Sequence, residues 1–431
     1  MKLVWRPRLL WPLVLLALTV GAEAAEEFRF DASEFEKKPF ELNGYVQLKQ
    51  EYFALNRDGA FYKLAYFGQP QRGYLDRSTG TLQLAGKLRH GTGTFDFRTN
   101  SDFQRDQLAH DHDNGVFEAA YSIRPSPGFT AEAGKRALRW GKGYAWNPIG
   151  FVERLKDPND PQLSREGYGM ADADIIFSPG GALQTIAFTP VLLPVGEDLN
   201  SDFGASGHLN PAVKVYLLYR DTDIDFAWQG QGSRPARYGV DFSRNLLSNF
   251  EIHGEWARIL KFPRPVTDAS GQVTTDTRDA TSWLVGLRYL TAGETTYIAE
   301  YYRNGTGYSA AEADQFYQLV DTAFATGNSA LVQRALSLGQ GGYGRPNPGQ
   351  EYVYFRAQQK DALGIVYFSP AITAMMNLQD RSYQVTPELQ YTGINNLELR
   401  ARLFLLEGGR STDFGEKQNS RKFEVYARYY F

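Results

Sequence analysis

The chain has 431 residues, 42% hydrophobic, 22% charged and 14% aromatic, with a formal net charge of −3 and no Cys. The near-neutral balance, without a basic block, excludes a nucleic-acid partner; the missing Cys excludes disulfides, thiolate metal sites, covalently attached haem and a Cys nucleophile. Mean hydropathy is −0.42, that of a water-soluble chain, yet 26 Tyr and 28 Phe are hard to reconcile with a water-facing surface.

At the start of the chain, Lys2, Arg6 and Arg8 form a positive region. Leu9 to Val20 form an apolar one broken only by Pro12 and Thr19, and Ala22-Glu23-Ala24 is an A-x-A cleavage signal. Residues 1–24 are therefore expected to be a secretory signal peptide, residues 25–40 a short periplasmic segment, and 41–431 one domain. No later stretch has the ~18 consecutive apolar residues of a transmembrane helix.

From Glu41 onward the side chains alternate with period two, the pattern of strands with unlike faces. Thr94-Phe95-Asp96-Phe97-Arg98-Thr99-Asn100 sets aromatics against charges, and Asp223 to Gln229 repeats the arrangement. Leu397, Leu399, Ala401, Leu403 and Leu405 share one face while Glu398, Arg400 and Arg402 share the other. Such segments centre near residues 48, 83, 98, 119, 134, 174, 187, 216, 226, 240, 254, 286, 299, 363, 376, 389, 401 and 426. Most run about 9–13 residues, the length of a tilted strand crossing a bilayer. Short turns such as 90–93, 124–128, 178–181 and 291–294 alternate mostly with longer connections at 56–76, 105–114, 141–168, 194–210, 261–279, 304–352 and 407–420.

A soluble β-sandwich would also alternate, but with its apolar face inward and a polar surface outward. The aromatic face here suits lipid, and the charged face suits a wet lumen. The expected fold is all-β: a transmembrane antiparallel up-and-down β-barrel of about eighteen strands, with sixteen as the alternative count. A short helical insertion in one outer loop is expected from Ser309-Ala310-Ala311-Glu312, a capping box. Phe316, Leu319, Val320 and Phe324 follow it at helical spacing, and Leu331, Val332, Leu336 and Leu338 form a second set.

The terminal Tyr429-Tyr430-Phe431 resembles the assembly signal of bacterial outer-membrane β-barrels of the porin type. That resemblance implies that Tyr429 and Phe431 are read by the barrel-assembly machinery, and that the barrel contacts outer-membrane lipid and lipopolysaccharide. Arg139-Trp140-Gly141-Lys142-Gly143 with Asn147-Pro148 is similar to a Trp-Gly signature in poorly characterised barrels, and loosely to alginate-export-like ones.

No H-E-x-x-H, G-x-S-x-G or phosphate-loop motif occurs, so no catalytic residue, cofactor or metal is assigned. His110-Asp111-His112-Asp113, expected in an outer loop, is the one cluster with ligand chemistry. The expected lumen wall includes Asp96, Arg98, Glu118, Glu132, Arg136, Asp172, Asp174, Arg237, Asp241, Glu398, Arg400 and Arg402. Glu255, Glu300 and Asp225 share that face. Loop 141–168, stiffened by Pro148, Pro158 and Pro161, is expected to narrow the pore with Lys142, Glu153, Arg154, Lys156, Asp157, Asp160, Arg165 and Glu166. Loop 304–352 is read as a lid. The expected function is a porin-like channel for passive diffusion of small hydrophilic or charged solutes. The alternatives are a scaffold barrel around a partner such as an electron-transfer cytochrome, an outer-membrane hydrolase, and a polysaccharide exporter.

Overall fold

The alternation translates into eighteen antiparallel strands in the computed structural model, which describes residues 38–107 and 109–431. The expected leader 1–24 and most of segment 25–40 lie outside the described residues. The first six strands are β1 (Phe40–Leu55), β2 (Tyr74–His90), β3 (Gly93–Asp106), β4 (His110–Ser126), β5 (Phe129–Arg136) and β6 (Tyr168–Phe177). The next six are β7 (Leu183–Val195), β8 (His208–Tyr219), β9 (Thr222–Gln229), β10 (Arg237–Leu247), β11 (Phe250–Thr267) and β12 (Val273–Leu290). The last six are β13 (Thr295–Arg303), β14 (Glu351–Gln359), β15 (Ala371–Asn377), β16 (Tyr383–Ile394), β17 (Leu397–Glu407) and β18 (Asn419–Tyr430).

Each strand pairs with its sequence neighbours, and β18 returns to pair with β1 through Tyr45↔Tyr430 to Leu55↔Asn419. The seam is locked by Gly44 and Phe431, each donating its amide to the other's carbonyl at 3.0 Å. Closure gives each of these strands a paired neighbour on both sides, which a bilayer demands of a spanning sheet. Outward positions are exposed and apolar, Leu48, Phe103, Val285, Leu399, Phe423 and Tyr429 among them. Among the described residues no helix is long and apolar enough to cross a membrane.

One end of the barrel carries mostly tight turns. Arg220 and Asp221, between β8 and β9, both have positive φ, the geometry of a two-residue hairpin. The other end carries the long connections, though fewer than expected. Strands β3 and β4 run on to leave only 107–109 between them, and β11 and β12 leave 268–272; the expected loops 105–114 and 261–279 are thus largely strand. The segment expected near 363 is not a strand. Asp361, Leu363 and Tyr367 take positive φ there and turn the chain, and the apolar run that suggested a strand is exposed, as at Leu363 and Tyr367. Its place in the sheet is taken by β14, which starts where the long loop was expected to end.

Three helices gather at the loop end: α1 (Ala60–Ala65), α2 (Ala310–Thr326) and α3 (Ser329–Gln340). The Ser309–Glu312 capping box opens α2, Gly327 at φ 63° closes it, and the Asn328 side chain caps α3. Phe316, Leu319, Val320, Val332 and Leu338 are buried as their spacing predicts. Phe316, Leu319, Val320 and Leu338 pack with Ala60 and Phe61 of α1, a helix the sequence pattern did not reveal.

Candidate functional site

The inward face of the barrel is charged, and most of the charge is paired. Arg98 lies 3.1 Å from Glu118, Asp96 3.0 Å from Lys87, and Arg136 bridges Glu132 and, at 2.7 Å, Asp172. Asp174 accepts the Thr189 hydroxyl at 2.6 Å. Across the barrel, Arg400 contacts Glu398 at 2.9 Å and Arg402 contacts Glu424 at 2.5 Å. Arg237 lies over the Phe151 ring at 5.9 Å. Asp241 is buried between its register partners Asp225 and Glu255. Cross-strand pairing of this kind fixes the wall and leaves few of its charges free.

The connection from β5 to β6, residues 137–167, enters the lumen rather than folding over the rim. It starts four residues before the expected 141, with Leu138 and Trp140 already buried. Trp140, Ile149, Phe151 and Val152 pack against Val191, Leu193, Ala212, Ala227 and Ala257, inward residues of β7, β8, β9 and β11. Trp146 stacks on Tyr302 at 5.1 Å and packs with Tyr352 and Tyr354 of β14. The loop thus forms a dry core inside the barrel, each large side chain contributing roughly 1.5–3 kcal/mol by burial. This apolar sector of the wall was missed because inward positions were expected to be polar; the signal was present in Val191-Leu192-Leu193, apolar on both faces.

The Trp-Gly signature holds the loop in place. Gly141 adopts φ +95°, and a Cβ on Gly143 would lie 2.1 Å from the Trp146 carbonyl oxygen. The tight backbone turns its amides toward two wall carboxylates. Glu255 Oε1 accepts from Lys142 (2.7 Å) and Gly143 (2.6 Å), and its Oε2 accepts from Ile149 (3.2 Å). Glu300 accepts from Tyr144 and, at 2.9 Å, from Ala145. His253 lies between Glu251 (3.1 Å) and Glu300 (2.9 Å), so the second carboxylate is itself oriented.

Most of the expected constriction charges serve this anchorage. Lys142 reaches Asp225 at 2.9 Å; burial opposes its charge, but Asp225 outweighs that and raises its pKa. Glu153 accepts the Trp140 amide at 3.1 Å and meets Arg165 at 2.7 Å. Burial pushes its carboxyl up, partly countered by Arg165 and Lys156. Lys156 donates to the Gly143 carbonyl, and burial lowers its pKa. Arg154 pairs with Glu166 at 3.1 Å and with Asp202, while Glu166 also meets Lys135. Asp157 caps a turn by accepting the Asn159 amide at 2.9 Å. Asp160 lies 3.5 Å from Arg402 and 3.8 Å from Arg400, tying the loop tip to β17.

Because the loop leans on β7 to β14 and touches β16 and β17, space remains on the opposite wall. A cavity of ≈ 360 Å³ lies between loop residues Leu163 and Ser164 and strands β18, β1, β2, β3 and β4. Its wall is a grid set by register. The middle row runs Arg428, Gln47, Thr81, Asp102 and Asp113. Toward the loop end lie Lys49, Thr79, Gln104 and Asp111, and toward the turn end Tyr45, Gln83 and Asn100. The neutral members were overlooked because only charged inward residues were singled out; they share the parity of Arg98 and Asp96. A second cavity of ≈ 330 Å³ opens near the helices, lined by Phe61, Asn159, Met375 and Phe414.

His110-Asp111-His112-Asp113 lies on β4, not in a loop. Strand alternation sends the two Asp into the cavity, while His112 stacks outside on the exposed Phe103 ring at 4.4 Å. The four therefore do not converge on one point. Among the described residues no group of three or more His, Asp or Glu is arranged to hold a metal ion.

No protein-family model matches the chain, and no curated protein matches it. Solved structures do. A double variant of OccD1 (OprD) aligns over 92% of this chain and 97% of its own, at 10% identity and a TM-score of 0.51. Engineered variants of the porin from Rhodopseudomonas blastica align over 91% of this chain and 100% of theirs, at 11% identity and a TM-score of 0.45. The OccD1 likeness is one of fold, a closed porin-type barrel.

Proposed function

We propose that the protein is a porin-like channel of the bacterial outer membrane, passing small hydrophilic solutes by diffusion. The observation that carries this reading is the polar cavity of ≈ 360 Å³ left between the inserted loop and one wall of a closed barrel with an apolar exterior. An eighteen-stranded barrel is wide enough for an aqueous channel. Here the loop occupies much of the cross-section, so the passage is off-centre and narrow, and solutes are screened by size and by the cavity wall. The same loop leaves little room for an enclosed protein partner, which favours a channel over a sleeve. Lipid and lipopolysaccharide would contact the exposed aliphatic and aromatic belt, and the assembly machinery would read Tyr429 and Phe431.

The test is conductance in planar bilayers. The purified protein should give discrete current steps, and a variant lacking residues 141–164 should give steps several-fold larger. If neither protein conducts, the channel reading fails.

A further inference from the structure

The wall of the ≈ 360 Å³ cavity differs from the rest of the lumen. Elsewhere many inward positions form ion pairs, and a large sector of the wall is covered by the loop. Within the cavity, β1, β2 and β3 present mostly amides and hydroxyls, Gln47, Thr79, Thr81, Gln83, Asn100 and Gln104, beside Lys49 and Asp102. With strands ~4.8 Å apart and ~3.3 Å per residue, the five-strand grid is roughly 19 Å wide and 13 Å tall.

Of the charges in this sector, Lys49, Arg428 and Asp102 are engaged, Asp111 accepts the His112 amide at 2.9 Å, and Asp113 also faces the cavity from β4. Lys49 lies 3.6 Å from Glu51. Arg428 donates to the Gln47 carbonyl oxygen at 2.6 and 2.9 Å and lies 3.6 Å from Glu398. Asp102 accepts the Thr81 hydroxyl at 2.5 Å and the Asn100 amide at 2.6 Å. These contacts aim the amides and leave capacity for a guest: each amide has further donor and acceptor sites, and the Asp102 oxygens have further lone pairs. Phe117 and Tyr45, the latter under the Arg428 guanidinium at 4.4 Å, add aromatic surface at the turn end of the cavity.

We propose that this wall is a binding subsite for uncharged, hydroxyl-rich solutes of about disaccharide size, a reading that rests on the channel function above. Hydroxyls donate and accept at once, and so match paired amides, hydroxyls and a bridging carboxylate. Ring C–H faces match aromatic ones. An anion would meet Asp102, Asp111 and Asp113, and a cation would find these carboxylates only on the β3–β4 side, with Lys49 and Arg428 against it across the grid. The volume lies at the lower end of the ~300–1,000 Å³ range of small-molecule pockets.

The test measures ion current through the wild-type protein in planar bilayers while sucrose is added, with a dicarboxylate and a diamine as charged probes. Sucrose should reduce the current saturably, and the charged probes should not. Gln83→Leu with Asn100→Leu should raise the half-saturating sucrose concentration about tenfold, read as fractional block of the variant's own current, as loss of two hydrogen bonds implies. Thr81→Val, nearly isosteric, should give a smaller shift in the same direction. A conducting wild type that sucrose does not block, or that a charged probe blocks instead, overturns the subsite and leaves the channel standing. Equal sucrose block in all variants overturns its location. Absence of any conductance removes the channel, and the subsite with it.

Discussion

Glu255 alone accepts three amides of the inserted loop, from Lys142, Gly143 and Ile149. Truncation orphans buried donors, each costing about 1–3 kcal/mol. Glu255→Ala is therefore expected to free the loop, seen as new protease cleavage within 137–167 and raised, noisier conductance; unchanged cleavage would show that the apolar contacts suffice. Gly143→Ala should act in the same direction, because its Cβ has no room. Glu153 gives a pH dependence. Its carboxyl is pushed above the ordinary 4.5 by burial, so the folded state holds the proton more tightly than the unfolded chain does. That contribution is fully present below pH 4.5 and is lost as pH rises through the raised value. The heat-modification temperature in detergent should carry this falling component, and Glu153→Gln should remove it; an identical profile in the variant would contradict the assignment. The sequence displayed Trp140-Gly141-Lys142-Gly143 as a motif but not its purpose, since Glu255 and Glu300 are more than a hundred residues away and strand parity alone makes them ordinary wall charges.

Between elements, the division of the lumen is what alternation does not encode. Parity says which face a residue takes, so Asp96, Arg98, Glu398 and Arg402 were legible as inward. Whether that face meets water or a folded loop depends on tertiary contacts, so Ala227 and Ala257 gave no sign that a loop covers them. The turn around Leu363 misled for a related reason: an exposed apolar run at the rim reads like a strand until its positive φ values are seen. The loop charges, expected to act as a filter, are mostly committed to holding it. Lys142→Glu would set a carboxylate against buried Asp225, at a cost of about 3–5 kcal/mol typical of broken buried pairs. Arg154→Glu breaks a partly exposed network worth at most about 1 kcal/mol. Thermal unfolding in detergent should rank the two variants in that order with a wide gap, and similar losses would place Lys142 nearer to solvent than its contacts imply.

For the molecule as a whole, the ladder that closes the barrel between β1 and β18 extends to Phe431, whose backbone pairs with that of Gly44. Deleting Phe431 should slow assembly more than it weakens the finished barrel, so unassembled protein should accumulate on the far side of the inner membrane; normal surface levels would contradict this. Barrel closure and the count of eighteen were readable because seventeen of the alternating segments are strands, with β14 standing in for the one expected near 363, whereas the off-centre cavity was not, because it is the space a folded loop leaves behind. That solutes pass through this cavity is the central part of the proposed function. The chain has no Cys, so single-Cys variants can map it cleanly with a bulky water-soluble thiol reagent during current recording. Modification of Thr81→Cys, on the open wall, should cut the current several-fold. Ala227→Cys, under the loop, should be unaffected in the intact protein and become sensitive once residues 141–164 are deleted. Block at Ala227→Cys with no effect at Thr81→Cys would put the passage on the other side of the barrel and contradict the account.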